Sequence, residues 1–285
     1  MNGEPPREHG TEPVLWAARR FTEAYGRELT VGNVQWRYLR VGTGPPVLWL
    51  TGGLRRAALG CSFLGQLASR HTVVAPDYPP VARFADVDDG LSAILHAEGI
   101  ERCDVVGQSY GGLLAQAFLA SHPQMIRRLV LSSSGPADYG LPWVPVLSAV
   151  AAAVRVLPKR PSAALLVAGL RRLFPSGSDP DGRWAQALSH TVRHDLTRAD
   201  MASHFAVAAD VAKRRLVRPN RFKLWVGTAV VLRAENDRTQ AAKDIPRLQR
   251  LLGRPVRTIS MGLAGHTAVL LEPEHYLRWL EKALR

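Results

Sequence analysis

Residues 103–114 read CDVVGQSYGGLL, which places Gly107, Ser109 and Gly111 in a G-x-S-x-G spacing. The apolar run Cys103–Val106 has the length and character of a buried strand, and residues 110–121 have those of a helix. A serine held between the two sits on a sharp strand-to-helix turn. Such a turn needs small neighbours: Gly107 and Gly111 let the backbone close, so that Ser109 can occupy a strained conformation with its hydroxyl outward. The helix that follows aims its unpaired N–H groups at the same point, where they favour a developing anion. The stretch therefore predicts a nucleophile at Ser109 and a parallel α/β fold around it.

Short apolar runs alternate with helical stretches on both sides of this segment. PVLWL (46–50) ends in Thr51-Gly52-Gly53, TVVAP (72–76) ends in Asp77, and RLVLS (128–132) follows the helix over 110–121. Helices are expected over 55–69 and 87–98. Runs with no polar face imply strands buried on both sides, and their alternation with helices implies a mostly parallel sheet flanked by helices. Residues 12–25 read as an amphipathic helix, and residues 28–42 as a hairpin around Gly32-Asn33.

The rhythm breaks over 136–222, which is rich in Ala, Leu, Val and Arg, is cut by prolines, and reads as helices without strands. It resumes with TAVVL (228–232), a helix near 240–252, PVRTIS (255–260) and a last helix over 273–284. The expected organisation is a disordered tail over 1–11, core over 12–135 and 223–285, and a helical cap over 136–222. Such a cap lies over the C-terminal strand edges, where open α/β sheets bind ligands. Its apolar residues, from Val144, Val146 and Leu147 through Leu157, Leu165, Leu166, Val167 and Leu170, are expected to pack on the core or on each other. Some of them, with Trp184 and Phe205, are candidates for lining a lipophilic pocket.

A serine hydroxyl needs a base, and the base needs an orienting acid. His266 lies in GLAGHT (262–267), just past the last strand, and is the expected base. Asp237 follows the TAVVL strand in RAEND (233–237) and is the expected acid. Glu235 competes; Asp237 is preferred as the second residue past the glutamate, the usual place of the carboxylate in such loops. Two backbone N–H groups should form an oxyanion hole: that of Tyr110, and that of Gly53 or, as second choice, Leu54. His190, His194 and Asp195 fall in the cap and are expected to be solvated or to pack there.

Composition limits the alternatives. The chain has 285 residues, 46% hydrophobic and 21% charged, enough for one large core. Its net charge of +13 is dispersed, and Lys213-Arg214-Arg215 is too short a block to indicate nucleic-acid binding. The longest apolar stretch, near Val144–Val154, falls short of the about 20 residues a membrane span needs. Residues 1–10 lack a signal-peptide pattern, so a cytoplasmic location without stable membrane insertion is expected. Cys61 and Cys103, the two cysteines, make no metal-ligand pattern and are expected as small core residues.

The motifs resemble the α/β-hydrolase superfamily over roughly residues 28–135 and 223–285. VVGQSYGG is similar to its nucleophile elbow, LRAENDRT to its strand-plus-acid segment, and GLAGHTAVLLEPEHY to its Gly-His loop and closing helix. PPVLWLTGG resembles the oxyanion strand and loop, with Thr51-Gly52 where relatives carry His-Gly. After TVVAPDYP, Pro80-Val81-Ala82 stands where relatives often have a Gly-rich turn. The resemblance implies a Ser-His-Asp hydrolase acting on a small lipophilic molecule through an acyl-enzyme, with no metal or organic cofactor. Its members also include C–C bond hydrolases, perhydrolases and non-catalytic binding proteins. Nothing in the sequence sets the oligomeric state.

Overall fold

A computed structural model of the chain describes residues 12–138 and 140–285. The tail expected over residues 1–11 lies outside the described residues. Eight strands form one sheet in the order β1-β2-β4-β3-β5-β6-β7-β8. They are β1 (Gly26–Val31), β2 (Val34–Val41), β3 (Pro46–Leu50), β4 (Thr72–Pro76), β5 (Cys103–Gln108), β6 (Ile126–Ser132), β7 (Thr228–Arg233) and β8 (Val256–Ser260). β2 pairs antiparallel with β1 and with β4, and every other pairing is parallel.

The inner strands β3, β4, β5, β6 and β7 are buried on both faces, as their uninterrupted apolar runs require, whereas the edge strands β1 and β8 are largely exposed. Leu48, Leu50, Val105, Leu129, Leu131, Ala229 and Val231 face one core. The intervening Val47, Trp49, Val106, Val130, Val230 and Leu232 face the other. Each buried Val or Leu side chain contributes roughly 1.5–3 kcal/mol, so the strands are fixed by burial and not by their intrinsic preference. Helices α3 (Phe84–Ala97), α4 (Tyr110–Ser121) and α9 (Asp244–Leu252) cover the first face. Helices α2 (Cys61–Leu67), α10 (Ala268–Leu271) and α11 (Pro273–Leu284) cover the second. α4 is buried from Tyr110 to Ala120, in keeping with its lack of a polar stripe.

Several expectations are adjusted. The helix expected over 55–69 is a single 3-10 turn (Ala57–Gly60) running into the short α2. α3 begins at Phe84, three residues early, because Asp210 accepts the Phe84 N–H at 2.9 Å from another part of the chain. Strand β5 runs on to Gln108. Cys103 is buried, Cys61 is half-buried, and both are free thiols.

Among the described residues between β6 and β7 lie four α-helices and no strand: α5 (Trp143–Val156), α6 (Lys159–Arg171), α7 (Arg183–His190) and α8 (Arg198–Lys213), with a π-helical turn at Thr191–Asp195 and a 3-10 turn at Pro219–Arg221. α8 is capped by a reciprocal Thr197–Asp200 box. α5 packs along α8. Packing in this insertion is looser than its composition suggests: Val167 is buried, whereas Val146, Val156, Leu157 and Leu165 are exposed. α5 and α6 each bury one stripe and turn the rest to solvent. The N-terminal helix α1 (Glu12–Tyr25) joins the insertion, with Leu15 and Ala18 packing against Leu59, Ala187 and Leu188. Among the described residues no helix is long and apolar enough to cross a membrane.

Candidate active site

The loops at the carboxyl ends of β3, β5, β7 and β8 converge over the sheet. Ser109 joins β5 to α4 with φ 51° and ψ −117°, a conformation side chains rarely adopt. It is held there by its N–H, which donates to Ser132 O at 2.9 Å, and by its carbonyl, which accepts from Gly112 N at 2.9 Å. The two glycines of the motif are needed for lack of space. A Cβ on Gly107 would meet Gly111 O and Gly112 Cα at 2.6 Å, and one on Gly111 would overlap Leu50 O. The turn therefore packs backbone against backbone, and Ser109 keeps its hydroxyl clear of it.

His266 Nε2 lies 3.0 Å from Ser109 Oγ. On the other side of the ring, Nδ1 lies 3.1 Å from Asp237 Oδ2 and 3.3 Å from Oδ1. Three residues spread over more than half the chain thus form one continuous line of hydrogen-bonding groups. Asp237 and His266 are both buried, whereas Glu235 is exposed. Asp237 is therefore the carboxylate that faces the imidazole. Burial pushes the Asp237 carboxyl up, but the hydrogen bond and charge of His266 and the Thr239 donors outweigh it and bring it down to about 2.

Several neighbours were not legible beforehand. Thr239 donates its backbone N–H (2.9 Å) and its hydroxyl (2.7 Å) to Asp237 Oδ1, and its Oγ1 lies 2.8 Å from His266 Nδ1. Gln108, buried beside the elbow, donates to the His266 carbonyl at 3.4 Å. His204, from α8, stacks on Tyr110 with ring centroids 4.0 Å apart. Burial, with the nearby Arg55 charge, pushes the His204 imidazole down to about 3, so it is neutral. A sequence offers no sign that these positions meet.

Ser109 borders two cavities. The narrower, of about 70 Å³, is lined by Gly53, Leu54, Trp49, Phe63 and His266, and by Leu170, Phe174 and Leu188 from the insertion. The wider, of about 330 Å³, is lined by Tyr110, Leu113, Ser133, Ser134, Trp143, Leu147, His204, Phe205 and Thr239. Leu147, Leu170 and Phe205 thus reach the site; Trp184 lines neither cavity. Gly53 and Leu54 both flank the narrow cavity, and Tyr110 opens α4 beside the serine.

The model of a family described as the alpha/beta hydrolase family matches residues 15–278, nearly the whole chain. The chain belongs to the alpha/beta hydrolase family. Over 127 residues, this alpha/beta hydrolase is 32% identical to the 2-hydroxymuconate semialdehyde hydrolase of Pseudomonas sp. (strain CF600), a stretch covering 40% of the chain and 45% of that protein. The match thus spans less than half the length of this relative. Among solved structures, a thermophilic esterase from Thermogutta terrifontis (malate bound) superposes with a TM-score of 0.74 at 18% identity, over 90% of this chain and 98% of that one. The enol-lactonase from Burkholderia xenovorans LB400 superposes with a TM-score of 0.73 at 18% identity, over 90% and 99%. At such identities the two structures establish the shared fold alone.

Proposed function

We propose that this alpha/beta hydrolase cleaves a carboxylic ester or related acyl bond of a lipophilic small molecule. The observation that carries this reading is the line of contacts from Ser109 Oγ through His266 to Asp237. In the proposed reaction His266 Nε2 takes the Ser109 proton as Oγ attacks the substrate carbonyl. The negative charge on the carbonyl oxygen is held by the N–H of Tyr110 and that of Gly53 or Leu54. The imidazolium, stabilised by ionised Asp237, then protonates the departing alcohol and leaves an acyl group on Ser109. A water molecule, deprotonated by His266, releases the acid and restores the hydroxyl. The insertion acts as a cap, and the apolar lining it shares with the core supports a lipophilic substrate.

A fluorophosphonate probe tests the reading. The folded wild type is expected to label, and Ser109→Ala to lose labelling and lower ester hydrolysis by about 10⁴-fold or more. A folded wild type that does not label would point to a non-catalytic binding protein. A second reading, C–C bond hydrolysis with the same three residues, is favoured by the names of the curated relatives, 2-hydroxymuconate semialdehyde hydrolase and 2-hydroxy-6-oxo-2,4-heptadienoate hydrolase. Product analysis with p-nitrophenyl esters beside a vinylogous β-diketone separates the two.

A further inference from the structure

Arg55 carries two costs that the fold alone does not explain. It is buried to 1% exposure, with Nε and Nη1 lacking any hydrogen-bond partner. Its φ is 63°, in the left-handed region that favours glycine. The carboxylate nearest to supplying a counter-charge, Asp200, pairs with Arg56 at 3.5 Å. A buried cation without a carboxylate and a strained backbone are both unfavourable, and structures retain such features where they set the geometry of a site.

The contacts of Arg55 identify that site. Its N–H donates to Gly52 O at 3.0 Å and closes a turn whose two central residues are Gly53 and Leu54. Its Nη2 donates to Pro79 O (2.6 Å), Tyr78 O (3.3 Å) and Ser203 Oγ (3.0 Å). Tyr78 in turn donates its N–H to Arg55 O at 3.2 Å and its hydroxyl to Thr51 O at 2.8 Å. Ser203 is on α8, next to His204, whose ring lies against Gly53 and stacks on Tyr110. One guanidinium therefore joins the turn after β3, the segment after β4 and helix α8, and through these it braces both residues expected to bind the oxyanion.

We propose that Arg55 is a positioning residue for the oxyanion hole, holding the Gly52–Arg55 turn and α8 in the one arrangement that aims the backbone N–H groups at the anion formed on Ser109. The inference rests on the serine-hydrolase reading, and its test distinguishes the two. R55G removes the guanidinium and relieves the left-handed strain but leaves a cavity, so the kcat-against-KM split and rescue by R55K separate the lost hydrogen bonds from lost packing. The expected result is a folded variant whose kcat on p-nitrophenyl butyrate falls about 10- to 100-fold, less than loss of a direct oxyanion donor, with KM held within about threefold. Fluorophosphonate labelling should slow in parallel, and R55K or millimolar methylguanidinium should restore part of the rate. A cooperatively melting R55G that labels and turns over at the wild-type rate overturns the proposal. So does a loss that falls on KM and is restored by neither R55K nor methylguanidinium. Should R55G fail to melt cooperatively, the same comparison is read on R55K: a lowered kcat at unchanged KM supports the role, and a wild-type kcat overturns it. Failure of the wild type itself to label removes the hydrolase reading, and this inference with it, before any variant is measured.

Discussion

Three oxygens, Thr239 Oγ1 and both of Asp237, stand on the Nδ1 side of His266 and compete for its one proton. Thr239 Oγ1 is nearer, at 2.8 Å, than either oxygen of Asp237. The Thr239 hydroxyl is committed to Asp237 Oδ1 at 2.7 Å, so its oxygen is left to accept from Nδ1–H. Aspartate and threonine thus fix the ring as a unit, the charge on one and a neutral oxygen on the other. Thr239→Val should lower kcat about 3- to 30-fold, and Asp237→Asn by about 10³-fold or more, measured on p-nitrophenyl esters. A larger loss in Thr239→Val than in Asp237→Asn would reverse these roles. The acid-side behaviour follows from the same neighbourhood. Asp237 is lowered from 3.8 to about 2 in the fold, so its stabilising contribution is full above the ordinary value and is lost as pH falls through about 2. His204 is lowered from 6.5 to about 3, so between those values the unfolded chain binds a proton that the folded chain refuses. Stability should therefore decline as pH falls from 6.5 toward 3, and His204→Phe should flatten that decline in urea-denaturation midpoints.

At the scale of elements, the turn between β5 and α4 is set by backbone crowding. The atoms that a Gly107 side chain would meet are Gly111 O and Gly112 Cα, neither of which can rotate away. Gly107→Ala should destabilise the protein by about 1–3 kcal/mol and displace Ser109, measured by thermal melting and fluorophosphonate labelling of the folded fraction. Such crowding is written locally, which is why the elbow was legible: the glycines, the serine and their flanking periodicities fall within a dozen residues. The loop positions of Asp237 and His266 were legible for a related reason, since each follows the end of an apolar strand run. Arg55, Thr239 and His204 were not. Arg55 meets Ser203 across 148 residues of chain, and nothing near either residue signals the contact. The helix expected over 55–69 failed on similar grounds. Asp77 accepts the Ala57 N–H at 2.7 Å, so tertiary contacts bend the start of that segment into a 3-10 turn.

Across the whole molecule, the insertion divides the space around Ser109 unequally. Leu170, Phe174 and Leu188 close the narrow cavity of about 70 Å³ from above, while Trp143, Leu147 and Phe205 leave the other, of about 330 Å³, more open. If both ends of a substrate must be seated while Ser109 attacks, the end in the narrow cavity is limited by these three side chains and the end in the wide one is not. Of the three, Leu188 is the most constrained, being buried in the cluster that also holds Leu15 and Ala18 of α1 and Leu59 of the core. Phe174 is half-buried at the margin of that cluster and can be shortened with less damage to it. Phe174→Ala should therefore widen the narrow cavity at a modest cost in stability and, under the proposed ester hydrolysis, shift preference toward esters longer in one direction. Two p-nitrophenyl and naphthyl ester series, one varying the acyl chain and one the alcohol, check this. The variant is expected to gain relative kcat/KM along one series and to match the wild type along the other. Equal changes along both series would show that the two cavities are not separate seats.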